Sequence, residues 1–266
     1  MKQFGLLGEK LSYSFSPQIH EIIFNFIGEE YLYDLVEISL GSLNAKFPEI
    51  IHKYHGLNVT IPYKKDVIEL LDVLDNISSE IGAVNTIKVV NGKLEGYNTD
   101  YFGFGATLDK YNVSIINKKA YILGTGGASK AVYYYLKNNN IGDIVFVNRK
   151  PETHWAKDCR IITYEECKNE SGDLVINATP LGMDNLSDQS PLCKDTLSNF
   201  HSAIDLIYNP RETIFLKHAR ELGLQSINGL YMLVAQAIKS EEIWNDIKID
   251  DVVINKIFHE IEKIIY

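Results

Sequence analysis

The segment Gly124-Thr125-Gly126-Gly127-Ala128-Ser129 constrains the fold more than any other. It follows an apolar run at 120–123 and opens a helical pattern at 128–137. In that context glycines let backbone N–H groups approach a pyrophosphate at a helix N-terminus. Ser129 stands where the usual fingerprint ends in glycine, and an ordinary glycine-rich turn is the alternative reading. Further apolar runs at 144–147, 174–177 and 203–207, with helical crossovers between strands, predict a parallel sheet covered on both faces.

The second strand of that series ends in Asn148-Arg149-Lys150. A free ribose 2′-hydroxyl usually meets an acidic side chain at this point, about 20 residues past the glycines. Two cations and no carboxylate suit a 2′-phosphate instead, which points to NADP over NAD. A solvated basic turn is the alternative. The next strand runs into Asn177-Ala178-Thr179-Pro180-Leu181-Gly182, small and polar residues at a strand end where ligands of open α/β sheets collect; Pro180 and Gly182 also fit a plain turn.

The first hundred residues alternate strand and helix patterns, with strands at 4–7, 31–38 and 56–60 and helices at 43–54 and 64–74. Ile19, Ile22, Ile23, Phe26 and Ile27 form one face of the first helix, and Val67, Leu70, Leu71 and Leu74 face inward from the last. The runs 84–90 and 94–97 flank Asn91-Gly92, a dipeptide suited to a type I′ hairpin turn. Helices at 101–111, 230–238 and 254–265 complete the series, and the last two return to the first domain.

Polar residues gather at the ends of these first elements. Ser14-Phe15-Ser16-Pro17 reads as a helix start with Ser16 as N-cap and Pro17 at the first helical position; its hydroxyls and N–H groups also make a place for a carboxylate. Asn58-Val59-Thr60-Ile61-Pro62-Tyr63-Lys64 carries three polar side chains facing a turn. A lysine desolvated in a cleft can move the proton of a reacting hydroxyl, so Lys64 is the first catalytic candidate, a solvated surface lysine being the alternative. Asp100, in Asn98-Thr99-Asp100, reads either as a helix N-cap or as an acid that orients an ammonium group.

Composition narrows the partners. The chain of 266 residues carries a formal net charge of −9, which gives no broad basic field for nucleic acid. No window suits a membrane span or a secretory leader, so no membrane partner and a cytoplasmic location are expected. Cys159, Cys167 and Cys193 are odd in number and lack a C-x-x-C pair, which predicts reduced thiols and no metal site.

Taken together these motifs resemble the shikimate dehydrogenase family. The resemblance rests on the segments already quoted, with His20, and on Gly82-Ala83-Val84-Asn85-Thr86, Gly96-Tyr97-Asn98-Thr99-Asp100, Asp205-Leu206-Ile207-Tyr208-Asn209-Pro210 and Asn228-Gly229-Leu230-Tyr231-Met232-Leu233 with Gln236. It implies reversible NADPH-dependent reduction of 3-dehydroshikimate to shikimate, a step toward chorismate and the aromatic amino acids. It implies an α/β substrate domain with a mostly parallel sheet at 1–101, rejoined by 238–266, and a Rossmann-like NADP domain at 102–237. Lys64 and Asp100 become the catalytic pair; Ser14 and Ser16 hold the substrate carboxylate; Thr60, Asn85, Asp100 and Gln236 bind ring hydroxyls, with Tyr208 at the pocket wall. The implied cofactor contacts are Gly124, Thr125, Gly126, Gly127, Ala128, Ser129, Asn148, Arg149, Lys150, Thr179, Ile207, Gly229 and Met232. Lys150 departs from the Thr or Ser that often follows the family's Asn-Arg pair. A small-molecule substrate and a monomer or homodimer are expected. A relative acting on quinate or an amino-substituted analogue with NAD, and a dinucleotide sensor without turnover, are the rival readings.

Overall fold

The computed structural model describes every residue except 13, 152–154 and 157, and the side chain of residue 184. The chain divides into two compact units, Met1–Gly103 with Val234–Tyr266, and Phe104–Leu233. It passes from the first to the second within one helix and returns within another.

Unit 1 is built on a six-stranded sheet in the order β2-β1-β3-β5-β6-β4. The strands are β1 (Gln3–Gly8), β2 (Leu32–Glu37), β3 (Gly56–Val59), β4 (Val73–Leu74), β5 (Thr86–Val90) and β6 (Lys93–Tyr97). β1 runs parallel to β2 and β3, β5 is antiparallel to β3 and β6, and β4 is parallel to β6. The helices are α1 (Ser16–Ile27), α2 (Leu43–Ile51), α3 (Asn76–Ile81), the start of α4 (Thr99–Lys110), most of α9 (Leu230–Asn245), and α10 (Asp251–Ile265), which packs on α1. Leu7, Leu57 and Val59 send their side chains to a core shared with Phe47 and Tyr63. Phe4 points the other way, as strand alternation requires, and stacks on Trp244 of α9 with ring centroids 4.6 Å apart.

Two expectations for this unit are corrected. Residues 64–74 are not a helix: a turn leads into a short 3-10 helix at Asp66–Leu70 and then into β4. The cause is tertiary pairing, since Asp72 N–H bonds to Leu94 O (2.9 Å) and Asp75 N–H to Gly96 O (3.0 Å), drawing the segment onto the edge of β6. Val67, Leu70, Leu71 and Leu74 still face inward. The buried face of α1 is Ile19, His20, Ile23 and Phe24, while Phe26 is exposed; the apolar stripe is rotated toward a polar residue. The Asn91-Gly92 turn forms as expected, with φ of 51° and 79°.

Unit 2 carries six parallel strands in the order β12-β11-β10-β7-β8-β9: β7 (Lys119–Leu123), β8 (Asp143–Val147), β9 (Arg160–Ile162), β10 (Leu174–Asn177), β11 (Ser202–Asp205) and β12 (Gln225–Ile227). Its helices include α5 (Gly127–Asn138), α6 (Tyr164–Cys167), α7 (Lys194–Leu197) and α8 (Ile214–Glu221). Ala120 and Ile122 enter one core and Tyr121 and Leu123 another, so β7 is buried on both faces. The strand order reverses between β7 and β10. In an open α/β sheet the carboxyl ends at such a reversal frame a ligand crevice.

Candidate active site and dinucleotide site

The topology of unit 1 brings four strands to one end of its sheet. β1 and β3 end there, β5 begins there because it runs antiparallel to β3, and β6 returns there. Lys64 in the turn after β3 and Asp100 in the first turn of α4 meet as an ion pair, Nζ to Oδ2 2.6 Å, with side chains 21% and 15% exposed. The other oxygen of Asp100 accepts a bond from Asn85 Nδ2 (2.9 Å), which also donates to Thr99 Oγ1 (3.0 Å). Asn85 Oδ1 in turn accepts the Thr99 N–H (2.6 Å). Asp100 is therefore fixed at both oxygens. It does not cap α4, whose first residue is Thr99.

The substrate-side residues are held by the same end of the sheet. Ser14 Oγ donates to Ser16 Oγ (3.0 Å) and accepts the Ser16 N–H (3.2 Å). Ser16 is the first residue of α1 rather than its N-cap; Phe15 occupies the cap position and makes no side-chain cap bond, so the side-chain acceptor at this first turn is Ser14 Oγ, on the Ser16 N–H. Thr60 follows β3, its N–H bonded to Leu7 O (2.9 Å). Gln236 on α9 accepts from Thr99 Oγ1 (3.5 Å).

Sequence reasoning missed the scaffold beneath these groups. Asn58 does not face the turn. It is buried, with Nδ2 donating to Ser240 Oγ (2.8 Å) and Thr86 Oγ1 (3.1 Å) and Oδ1 accepting from the Tyr33 hydroxyl (2.8 Å). Tyr33 stacks on His20, centroids 4.1 Å apart, and His20 Nδ1 lies 2.5 Å from Glu241 Oε1. Burial pushes the Glu241 carboxyl above its ordinary range and the Tyr33 hydroxyl well above its own. A histidine in the inward stripe of α1, and a glutamate at helical spacing from Ala237, Ile238 and Trp244 on the buried face of α9, are the signals that could have flagged the pair.

In unit 2 the candidate cofactor residues line the carboxyl ends of parallel strands. Gly124, after β7, has φ of 90°, and a Cβ there would lie 2.9 Å from Thr179 Cγ2 after β10, so the two strands of the reversal meet at this glycine. Gly126 caps α5 without a side-chain bond, and Cβ atoms at Gly126 or Gly127 would meet nothing within 4 Å. That open ground above a helix N-terminus fits a dinucleotide pyrophosphate. Ser129 is buried and donates to Gly126 O (2.6 Å), bracing the turn; Ala128 is half-buried. Asn148 donates to Thr125 Oγ1 (2.9 Å). Arg149 and Lys150 are exposed, and the Arg149 charge offsets in part the burial that raises the Tyr164 hydroxyl to about 12. Ile207 O accepts the Gly229 N–H (2.9 Å). Met232 packs its side chain into the core of unit 2, and Tyr208 is half-buried in the same unit.

Residues 6–87 match the family described as shikimate dehydrogenase substrate binding domain. A shikimate dehydrogenase (NADP(+)) of Clostridium beijerinckii is 47% identical over 255 residues, covering 94% of this chain and 94% of that protein. The chain belongs to the shikimate dehydrogenase family. Among solved structures, a chorismate mutase/shikimate 5-dehydrogenase fusion protein from Clostridium acetobutylicum superposes with a TM-score of 0.97 at 46% identity, covering 100% of this chain and 98% of that one. A shikimate 5-dehydrogenase from Thermus thermophilus in complex with NADP(H) and shikimate gives 0.88 at 29% identity, covering 98% and 99%. Within this family the α/β architecture with a Rossmann-like sheet is shared along nearly the whole chain.

Proposed function

We propose that the chain catalyses the reversible NADPH-dependent reduction of 3-dehydroshikimate to shikimate, with unit 1 holding the substrate and unit 2 the cofactor. The observation that carries this is the Lys64–Asp100 pair, buttressed by Asn85 at the opposite carboxylate oxygen. A dinucleotide-binding protein without turnover gains nothing from that arrangement. Held at the Gly124–Ser129 turn, the nicotinamide dinucleotide would supply the hydride acceptor or donor. In the oxidation direction Lys64 Nζ takes the proton of the reacting hydroxyl; in reduction it delivers a proton to the carbonyl oxygen. Asp100 aims the amine, and Asn85 keeps Asp100 from rotating away.

Ser14 and Ser16, two hydroxyls 3.0 Å apart at the head of α1, suit the substrate carboxylate. Thr60, Asn85, Asp100 and Gln236 serve its ring hydroxyls. On the cofactor side the Gly124–Ser129 turn receives the pyrophosphate, and Asn148, Arg149 and Lys150 receive the adenosine ribose with its 2′-phosphate. Thr179, Ile207, Gly229 and Met232 flank the nicotinamide half. The three free cysteines agree with a reducing compartment, and the reading includes a cytoplasmic enzyme working as a monomer or homodimer.

The test is an absorbance assay of reduced nicotinamide formation, crossing shikimate and quinate with NADP and NAD. Fast turnover with shikimate and NADP alone is the expected result. Preference for quinate or NAD would move the chain to relatives of different specificity, and NADPH binding without turnover would overturn the catalytic reading.

A further inference from the structure

Asp205 ends β11 with no exposed surface, and it is the one fully buried carboxylate of unit 2 among the described residues. Three donors converge on it. Thr213 Oγ1 donates to Oδ2 (2.6 Å), and Asn177 Nδ2 (3.0 Å) and the Ile207 N–H (3.1 Å) donate to Oδ1. Desolvating a carboxylate is costly even when it is bonded, so a residue kept here calls for a reason beyond packing.

The three donors belong to the segments that crown the reversal of the sheet. Asn177 passes the restraint on, because its Oδ1 accepts both the N–H (3.0 Å) and the hydroxyl (2.7 Å) of Thr179. Ile207 carries the carbonyl that holds Gly229, and a Cβ at Gly229 would collide with Leu206 O. Thr213 caps α8 through the Leu216 N–H (3.3 Å) and packs its methyl where a Cβ of Gly182 would lie 3.0 Å away. One side chain thus fixes Thr179 and the Ile207–Gly229 contact together.

We propose that Asp205 is a positioning residue of the NADP site, setting the strand-end segments that carry Thr179, Ile207 and Gly229. This rests on the assignment of those residues to the cofactor. Asp205 touches no cofactor atom itself; it acts as an acceptor for three donors. Asparagine in its place would turn an N–H toward the Thr213 hydroxyl and leave that hydroxyl's hydrogen without its acceptor.

Binding of NADP and of shikimate, each alone, to the full chain by calorimetry separates the outcomes. Asp205→Asn and Thr213→Val are expected to raise the Kd for NADP about tenfold, the cost of one buried hydrogen bond lost. Thr213→Ser, which keeps the hydroxyl, stays within about twofold of wild type, as does the Kd for shikimate throughout. Thr213→Val preserves the buried carboxylate and serves if Asp205→Asn fails to fold. Unchanged NADP binding in the folded variants overturns the assignment, and so does equal weakening of both ligands. Wild-type protein that binds no NADP overturns the cofactor reading itself.

Discussion

Single residues in this protein separate into those the fold requires and those only a ligand can require. Gly124 has a positive φ and lies against Thr179, so Gly124→Ala is expected to destabilise unit 2 by about 1 kcal/mol or more. Gly127 begins α5 beneath open space. Gly127→Ala is expected to hold or raise the melting temperature, since alanine favours a helix, while weakening NADP binding; calorimetry on both variants checks the contrast. Lys64→Ala is expected to lower kcat by about 10²–10⁴-fold with little change in shikimate Kd, because proton transfer matters chiefly in the transition state. Near-normal kcat in a folded variant would remove Lys64 from the mechanism. Arg149→Ala should raise the KM for NADP roughly tenfold and leave that for NAD nearly unchanged; equal effects would sink the 2′-phosphate assignment. The residues of the ion pair were legible one by one, but only the family resemblance paired them. Nothing in the spacing of 36 positions between Lys64 and Asp100 tells that the turn after β3 faces α4. The His20–Glu241 contact, 221 positions apart, was further out of reach.

At the scale of elements, legibility followed local chemistry. The parallel strands of unit 2 read as continuous apolar runs because both faces are buried, and the hairpin read from Asn91-Gly92 because few dipeptides tolerate two positive φ values. Gly92→Ala is accordingly expected to cost about 1 kcal/mol in chemical denaturation; a Cβ there meets nothing within 4 Å, so the loss is backbone strain alone. The segment 64–74 was misread because its inward residues fit a helical period as well as they fit a 3-10 turn and a strand. Only the free edge of β6 decides between them. Strands as short as β9 and β12, three residues each, carry too few alternations to announce themselves.

For the molecule as a whole, the buried carboxylates shape the response to pH. Burial pushes Asp205 up to about 7, against the pull of its three donors. Between about pH 4 and pH 7 the native chain keeps a proton that the unfolded chain releases, so this residue makes stability fall as pH rises through that window. Asp205→Asn is expected to flatten the slope, read from unfolding midpoints at pH 4.5 to 7.5; a slope equal to wild type would show that the site ionises freely.

The division of the chain bears on its synthesis. Unit 2 is one uninterrupted stretch, whereas unit 1 draws Ser240, Glu241 and Trp244 from residues made after unit 2 is finished. Trp244 fills the space beside Gly56 and stacks on Phe4. A nascent chain therefore completes its second lobe first and holds the earlier-made sheet with one face uncovered. A released fragment ending at residue 233 should resist protease in unit 2 while its amino-terminal hundred residues are cut.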